Sequence, residues 1–253
     1  MSNALFESAH PTLTVRIHAG LNAASFLAGL LAVTGVTRFV PAQQLLENCF
    51  PGVEAKLAFV PRSVAGISGV TCRFETPAPK GHVHTTPAQI LAFYETSRLS
   101  ETGLLLARSI WTTLAQAEAR VHGACPDEVH FHEVGRLSNI LAVGLIAELF
   151  AGLAPERFVV SPIPAGDTVV RCAHGLVPYP APSMLAMLDG VTVRGYAGSG
   201  EPVTPTGLAI VRGLEAEFGN WPVMQVQKHA TAFVPNGIFE NTPNGLIFAL
   251  GRS

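Results

Sequence analysis

Charged side chains are scarce in this sequence. Asp, Glu, Lys and Arg make up 13% of its 253 residues, against 48% for the hydrophobic set, and the formal net charge is −2. Lys and Arg form no cluster, which argues against a nucleic-acid partner, because binding to a phosphate backbone requires a basic face. So little charge also predicts that apolar surface is buried in a large core or against another chain. We therefore expect a homo-oligomer or an obligate protein partner.

Long hydrophobic runs are missing as well. The longest, residues 140–153, is too short to cross a bilayer and contains Glu148, so the sequence predicts no membrane span. Cysteine is sparse, and its four residues lie far apart without a C-x-x-C pair: Cys49, Cys72, Cys125 and Cys172. Since the N-terminus shows no signal-peptide pattern, we interpret these cysteines as reduced thiols of a cytoplasmic protein.

Strand and helix patterns are present, and they follow one another without strict alternation. This mixture predicts an α+β fold, or a loosely layered α/β fold, with helices packed on a mixed sheet. Residues 140–150 are apolar on nearly every side and predict one central apolar helix, capped by Ser138 or Asn139 and buried in the domain or at an interface. A proline-rich linker at residues 77–81 predicts a β-α-β-rich subdomain at 1–80 and a main domain at 85–253.

Local signals place several other elements. A small-residue helix is predicted at residues 23–34, after a strand-to-helix turn at 19–22 that lacks the spaced glycines of a phosphate loop. Thr86 followed by Pro87 predicts another helix start. A helix is expected from Val203 to Phe218, and closing strands are expected at 224–228, 231–234 and 246–250.

A histidine-containing segment at residues 117–135 follows a strongly periodic helix that should end at Gly123. Beyond it, residues 129–133 alternate as in a strand, which would place His130 and His132 on one face. With Glu133 and His122 close in sequence, the two imidazoles predict a metal site or a proton-transfer site. The alternative is a half-buried strand whose polar face binds nothing.

Two other segments carry candidate metal ligands. His82 and His84 lie two apart in a predicted loop, either as a metal-collecting site or as solvated side chains. His174 follows Cys172 at the same spacing after a predicted strand.

The sequence TPTG predicts an anion-binding helix start. Thr204 would cap the helix and Pro205 would occupy its first turn, while Thr206 and Gly207 leave free N–H groups accessible. The alternative is a well-capped helix without a ligand.

The order of these motifs resembles the LarC family. The matching segments are AGISGVTCRF, AEARVHG, FHEVG, VSPIPAG, RCAHGLVPYPAP and PVTPTG, and together they extend over essentially the whole chain. The resemblance implies nickel insertion into the pyridinium bisthiocarboxylate mononucleotide, which completes the nickel-pincer cofactor of lactate racemase. It also implies CTP and a divalent cation. Nickel would bind His130 and His132 with Glu133 or His174, and the mononucleotide phosphate would bind at TPTG.

The sequence departs from the family in its histidine-rich run, reduced to His82 and His84, in the glycine-rich segment replaced by residues 225–233, and in acidic positions. The opening turn has no acid, and Ser138 and Ala142 stand where the family carries aspartates. Carboxylates are the usual ligands of Mg²⁺ or Mn²⁺. We therefore leave it open whether this chain is an enzyme, and expect CTP use only with a C-terminal LarC-type partner. The alternatives are a non-catalytic relative that binds nickel, the cofactor or a partner, and a metal-dependent hydrolase using His130, His132 and Glu133.

Overall fold

The computed structural model describes residues 11–78, 84–172 and 175–253, and within these ranges a seven-stranded mixed sheet lies at the centre. The strands of the described residues are β1 Thr12–Ala19, β2 Lys56–Val64, β3 Ile67–Glu75, β4 Arg157–Val160, β5 Ile163–Ala165, β6 Val169–Cys172, β7 Gly175–Pro178, β8 Val193–Gly195, β9 Glu217–Phe218, β10 Gln225–Ala232 and β11 Gly245–Arg252.

The central sheet has the order β2-β3-β10-β11-β1-β4-β9. The pairs β1–β4, β4–β9 and β3–β10 are parallel, and the other neighbours are antiparallel. Outside this sheet, β5 pairs with β8 in parallel and β6 with β7 antiparallel. The predicted mixed sheet with packed helices is therefore confirmed.

The helices of the same residues are α1 Ala23–Thr34, α2 Ala42–Cys49, α3 Pro87–Glu95, α4 Glu101–His122, α5 Leu137–Leu153, α6 Pro182–Ala186 and α7 Pro205–Gly213, with a 3-10 turn at Val36–Arg38. Helix α1 packs directly on the sheet. The Phe26 ring meets the rings of Phe248 and Phe158 edge-on, at centroid distances of 5.3 and 6.2 Å. A side chain at Gly29 would overlap the Phe248 ring, so glycine permits this close approach of helix and sheet.

Helix α5 is the predicted central apolar helix, and it is buried within the single chain. Its residues Leu141, Val143, Leu145 and Ile146 have no exposed surface. The helix packs against α1, α2 and α4. Its apolar circumference is thus explained by the core of one protomer, and it gives no support to the expected homo-oligomer, which stays a prediction. The cap is Arg136 rather than Ser138 or Asn139, and its side chain makes no capping bond.

Three element predictions were wrong. Residues 129–133 form no strand; Phe131 makes an isolated antiparallel bridge with Thr85. The two strands expected at 224–228 and 231–234 are one continuous strand, β10. The helix expected up to Phe218 ends at Gly213, because the chain then reverses through Glu215, which has a positive φ of 57°, into β9.

Two further expectations concern the whole chain. Strands from both sides of residue 80 enter the central sheet, and the division into residues 1–80 and 85–253 stays a prediction. Among the helices described, none combines the length and apolar character needed to cross a membrane.

Candidate functional site

A cavity of about 920 Å³ opens between the helices. Its walls include the starts of α1, α5 and α7, the end of α4, strand β3, and the β6–β7 pair. Its volume lies within the range of small-molecule sites, which is roughly 300–1,000 Å³.

The turn between β1 and α1 contributes one wall of the cavity. Gly20 and Leu21 donate backbone hydrogen bonds to the carbonyl of Pro202, at 2.7 and 2.9 Å. In return, the Thr204 N–H donates to the Leu21 carbonyl at 3.0 Å. These bonds fix the start of α7 beside the start of α1. The turn lacks the spaced glycines of a phosphate loop, and it belongs to the site because it pairs with a segment far along the chain.

The two neighbouring helix starts are both capped by side chains. Asn22 accepts from the Ser25 N–H at 2.9 Å, and Thr204 accepts from the Gly207 N–H at 3.1 Å. Thr204, Pro205 and Thr206 line the cavity, as does Asn22. Gly207 is not a lining residue; a Cβ there would overlap the Leu21 carbonyl oxygen, so its hydrogen side chain allows α7 to approach the turn.

These helix starts make one part of the cavity favourable for an anion. Each helix start carries a positive partial charge of about half an elementary charge, and α5 contributes a third start through Arg136, Ser138 and Asn139. The guanidinium-bearing residues Arg73 and Arg171 line the same cavity.

The predicted metal residues His130, His132 and Glu133 line this cavity too. Val129 and Phe131 are buried, with 4% and 1% of their surfaces exposed, so the histidines between and after them turn the other way. Phe131 is anchored against the ring of Trp111 at a centroid distance of 5.4 Å. Because alternate residues are buried, both imidazoles lie on the same side of the segment and face the cavity, although the segment is not a strand.

His84 joins this pair of histidines. Thr85 and Phe131 exchange two backbone hydrogen bonds, of 3.1 and 2.9 Å, which bring residue 84 alongside the 129–135 segment. The His84 ring lies edge-on to His132 at 4.8 Å and to His130 at 6.3 Å between centroids. The two histidine motifs that the sequence presented separately therefore form one cluster. His82 and His174 lie outside the described residues.

This cluster is not a complete metal site by itself. Among the residues that the structure describes, no group of three or more His, Cys, Asp or Glu side chains is placed to surround one metal ion. The assignment of metal-ligating residues therefore stays a prediction.

Glu201 was missed by sequence reasoning. It lines the cavity one residue before the proline whose carbonyl holds the α1 turn. Burial, and secondly the negative charge of Glu133, raises the pKa of Glu201 to about 7. Near neutral pH the buried carboxyl group of Glu201 is therefore only partly ionised. Its only signal in the sequence is an acid that directly precedes PVTPTG.

Cys72 also lines the cavity, from strand β3. Burial raises the pKa of its thiol to about 12, so in the metal-free protein the group is protonated at neutral pH. Ser138 and Ala142, where the resemblance to the LarC family implies aspartates, also line the cavity.

The nickel insertion protein family matches residues 13–252 of this chain. A protein of Geotalea daltonii named "Putative nickel insertion protein" is 36% identical over 211 residues, which are 83% of this chain and 53% of the relative. A "Pyridinium-3,5-bisthiocarboxylic acid mononucleotide nickel insertion protein" of Desulfitobacterium hafniense is 37% identical over 163 residues, covering 64% of this chain and 40% of the relative. The chain thus spans about half the length, or less, of these relatives. No solved structure matches it significantly.

Proposed function

We propose that this chain, which belongs to the nickel insertion protein family, binds nickel and the pyridinium-3,5-bisthiocarboxylic acid mononucleotide together in its cavity. Nickel is here the cargo of the reaction, and the mononucleotide is the precursor that receives it. The name of the relative from Desulfitobacterium hafniense supplies the identity of this precursor.

One observation carries the proposal: the histidine pair and the TPT helix start line the same cavity. The proposed ligand has a phosphate at one end and two thiocarboxylates at the other, so it requires an anion site and a metal site within one molecule's length. The starts of α1, α5 and α7 would hold the phosphate. His130 and His132, helped by Glu133, would present nickel to the sulfur atoms.

The donor set suits this cargo. Imidazole nitrogen is a good ligand for Ni²⁺. The softer, thiolate-like sulfur atoms of the mononucleotide can then take the ion from the imidazoles. A site with few protein donors also suits an ion that must leave, because fewer donors hold it less tightly.

Insertion itself would use CTP, and only together with a C-terminal LarC-type part. A second candidate function is a non-catalytic relative that binds nickel and the precursor. It is favoured because Ser138 and Ala142 line the cavity at positions where the resemblance to the LarC family implies aspartates. We place either activity in the cytoplasm, consistent with free thiols at Cys49, Cys72 and Cys125.

Nickel titration of the purified protein, with and without the mononucleotide, tests the proposal. The double variant His130→Ala/His132→Ala should bind nickel at least tenfold more weakly, and its binding should no longer strengthen when the mononucleotide is added. Calorimetry and bound-metal analysis measure both effects. Because protons compete with the metal for the imidazole ligands, wild-type binding should weaken when the solution is acidified.

His229→Ala is the matched control, since this histidine is exposed on β10 and does not line the cavity. It should bind nickel as the wild type does. Equal nickel affinity in the double variant and the wild type would contradict the metal assignment.

A further inference from the structure

The AEARVHG motif at residues 117–123 contains two potential metal ligands that the proposed nickel site does not use. Glu118 and His122 are four residues apart in α4, so their side chains share one helix face. His122 Nε2 lies 3.5 Å from Glu118 Oε2, and both residues line the same cavity as His130 and His132.

We propose that Glu118 and His122 form a second nickel-binding site, which binds the ion from solvent and transfers it to His130 and His132. This inference rests on the proposed function, because it concerns the route of the same cargo into the same cavity.

The geometry of the pair fits one shared ion. Two donors that each lie about 2.1 Å from a nickel ion, at the angle of about 90° that square-planar or octahedral coordination gives, are separated by about 3.0 Å. The nitrogen and oxygen atoms are 3.5 Å apart, so an ion shared between them requires only a small side-chain rotation. Two ligands four residues apart on one helix face also share a single ion in the H-E-x-x-H zinc motif, where both are histidines.

The position on the helix adds an electrostatic argument. α4 ends at His122, with Gly123 as its left-handed cap at a φ of 63°. The carbonyl end of a helix carries a negative partial charge of about half an elementary charge, which favours a cation within the last turn. The cavity therefore has helix starts that favour the phosphate and a helix end that favours the metal.

The different exposures of the two side chains indicate the order in which an ion would meet them. The His122 side chain is 42% exposed, whereas that of Glu118 is 16% exposed. An ion from solvent would thus meet the imidazole first and the carboxylate second. A pair of protein donors holds an ion less tightly than a full coordination shell does, so nickel could leave Glu118 and His122 for the next pair.

The test uses Ni²⁺ alone with the full chain at a pH of about 7.5, where unperturbed imidazole is neutral. Equilibrium dialysis should show two nickel ions bound per wild-type chain. Glu118→Gln and His122→Ala should each bind one, with the affinity of the remaining site unchanged. His130→Ala/His132→Ala should lose the other ion. In stopped-flow mixing with mononucleotide, Glu118→Gln should transfer nickel at least tenfold more slowly than the wild type.

Glu118→Gln is nearly isosteric, so it keeps the test valid if His122→Ala fails to fold. Glu47→Gln, at an exposed position of α2, is the matched control and should bind two ions. If Glu118→Gln binds as many nickel ions as the wild type and transfers nickel at the same rate, the second binding site is overturned and the proposed function is unaffected. If His130→Ala/His132→Ala also binds nickel as the wild type does, the proposed function itself is wrong.

Discussion

At the scale of single residues, environment changes what a side chain can do. Cys72 and Glu201 line one cavity, yet burial keeps the thiol protonated and leaves the carboxyl group partly so. Composition predicts neither effect, because both depend on what the fold places around the group. The direction in which His130 and His132 point was predictable, since it follows from alternating apolar neighbours. Their cluster with His84 was not, because it depends on a bridge between residues 85 and 131.

Glu201 leads to a prediction about stability and pH. Its pKa in the folded protein is about 7, above the ordinary value of 4.5, so between these values the folded state binds more protons than the unfolded state. The free energy of unfolding should therefore fall as pH rises from 4.5 to 7, by at most about 3 kcal/mol. Glu201→Gln should remove this part of the pH dependence and should be more stable than the wild type at pH 8.

Urea unfolding of the metal-free protein at several pH values measures the effect. Glu240→Gln, at an exposed position outside the cavity wall, should reproduce the wild-type profile. A Glu201→Gln profile parallel to that of the wild type would show that Glu201 does not carry this proton.

At the scale of elements, predictions succeeded where the signals were local. Helix α1 has the bounds that the sequence predicts, because Asn22 and Gly35 cap its two ends within a residue of the helix. The start of α3 at Pro87 follows in the same way from Thr86, which caps the Gln89 N–H. The pairing of the α1 and α7 starts was not predictable, because its hydrogen bonds join residues more than 180 positions apart.

Gly207→Ala tests that pairing. The added Cβ would overlap the Leu21 carbonyl oxygen, so α7 would have to move away from the α1 start. We expect a loss of roughly 1–3 kcal/mol in the free energy of unfolding. Binding of the mononucleotide in the absence of nickel should weaken at least tenfold, while nickel binding by the histidines is retained.

Gly152→Ala is the control for this substitution. No atom lies within 4 Å of the Cβ position at Gly152, which belongs to α5, and its φ is not positive. Alanine there should be neutral, or stabilising by up to about 1 kcal/mol through helix propensity. Equal mononucleotide affinity in both alanine variants would show that the contact between α7 and the turn does not support the site.

At the scale of the whole molecule, the low charge content has a partial explanation. α5 is buried inside one protomer and α1 is buried between it and the sheet, so much of the apolar composition forms the core. Trp221 and Val223 remain exposed, at 46% and 95%, and could belong to an interface only if a second chain covers them. The homo-oligomer therefore stays a prediction that the fold of one chain neither requires nor opposes.

The last prediction concerns the whole reaction: this chain alone should not perform CTP-dependent nickel insertion. Holding a nucleotide's phosphates for chemistry usually requires a divalent ion bound by carboxylates. On the cavity wall, Ser138 and Ala142 stand where the resemblance to the LarC family implies aspartates. Nickel and the mononucleotide should bind nevertheless, because the histidines and the helix starts remain.

The assay incubates the protein with nickel, CTP, Mn²⁺ and the mononucleotide, and then adds apo-racemase. We expect no racemase activity from this mixture. Activity that appears when a C-terminal LarC-type fragment is added would identify a split enzyme, and binding without activity in either mixture would identify the non-catalytic relative. Ser138→Asp should strengthen Mn²⁺ binding in both cases, since it returns a carboxylate to the cavity wall. Racemase activation by the unmodified chain alone would show that the reaction does not require aspartates in place of Ser138 and Ala142.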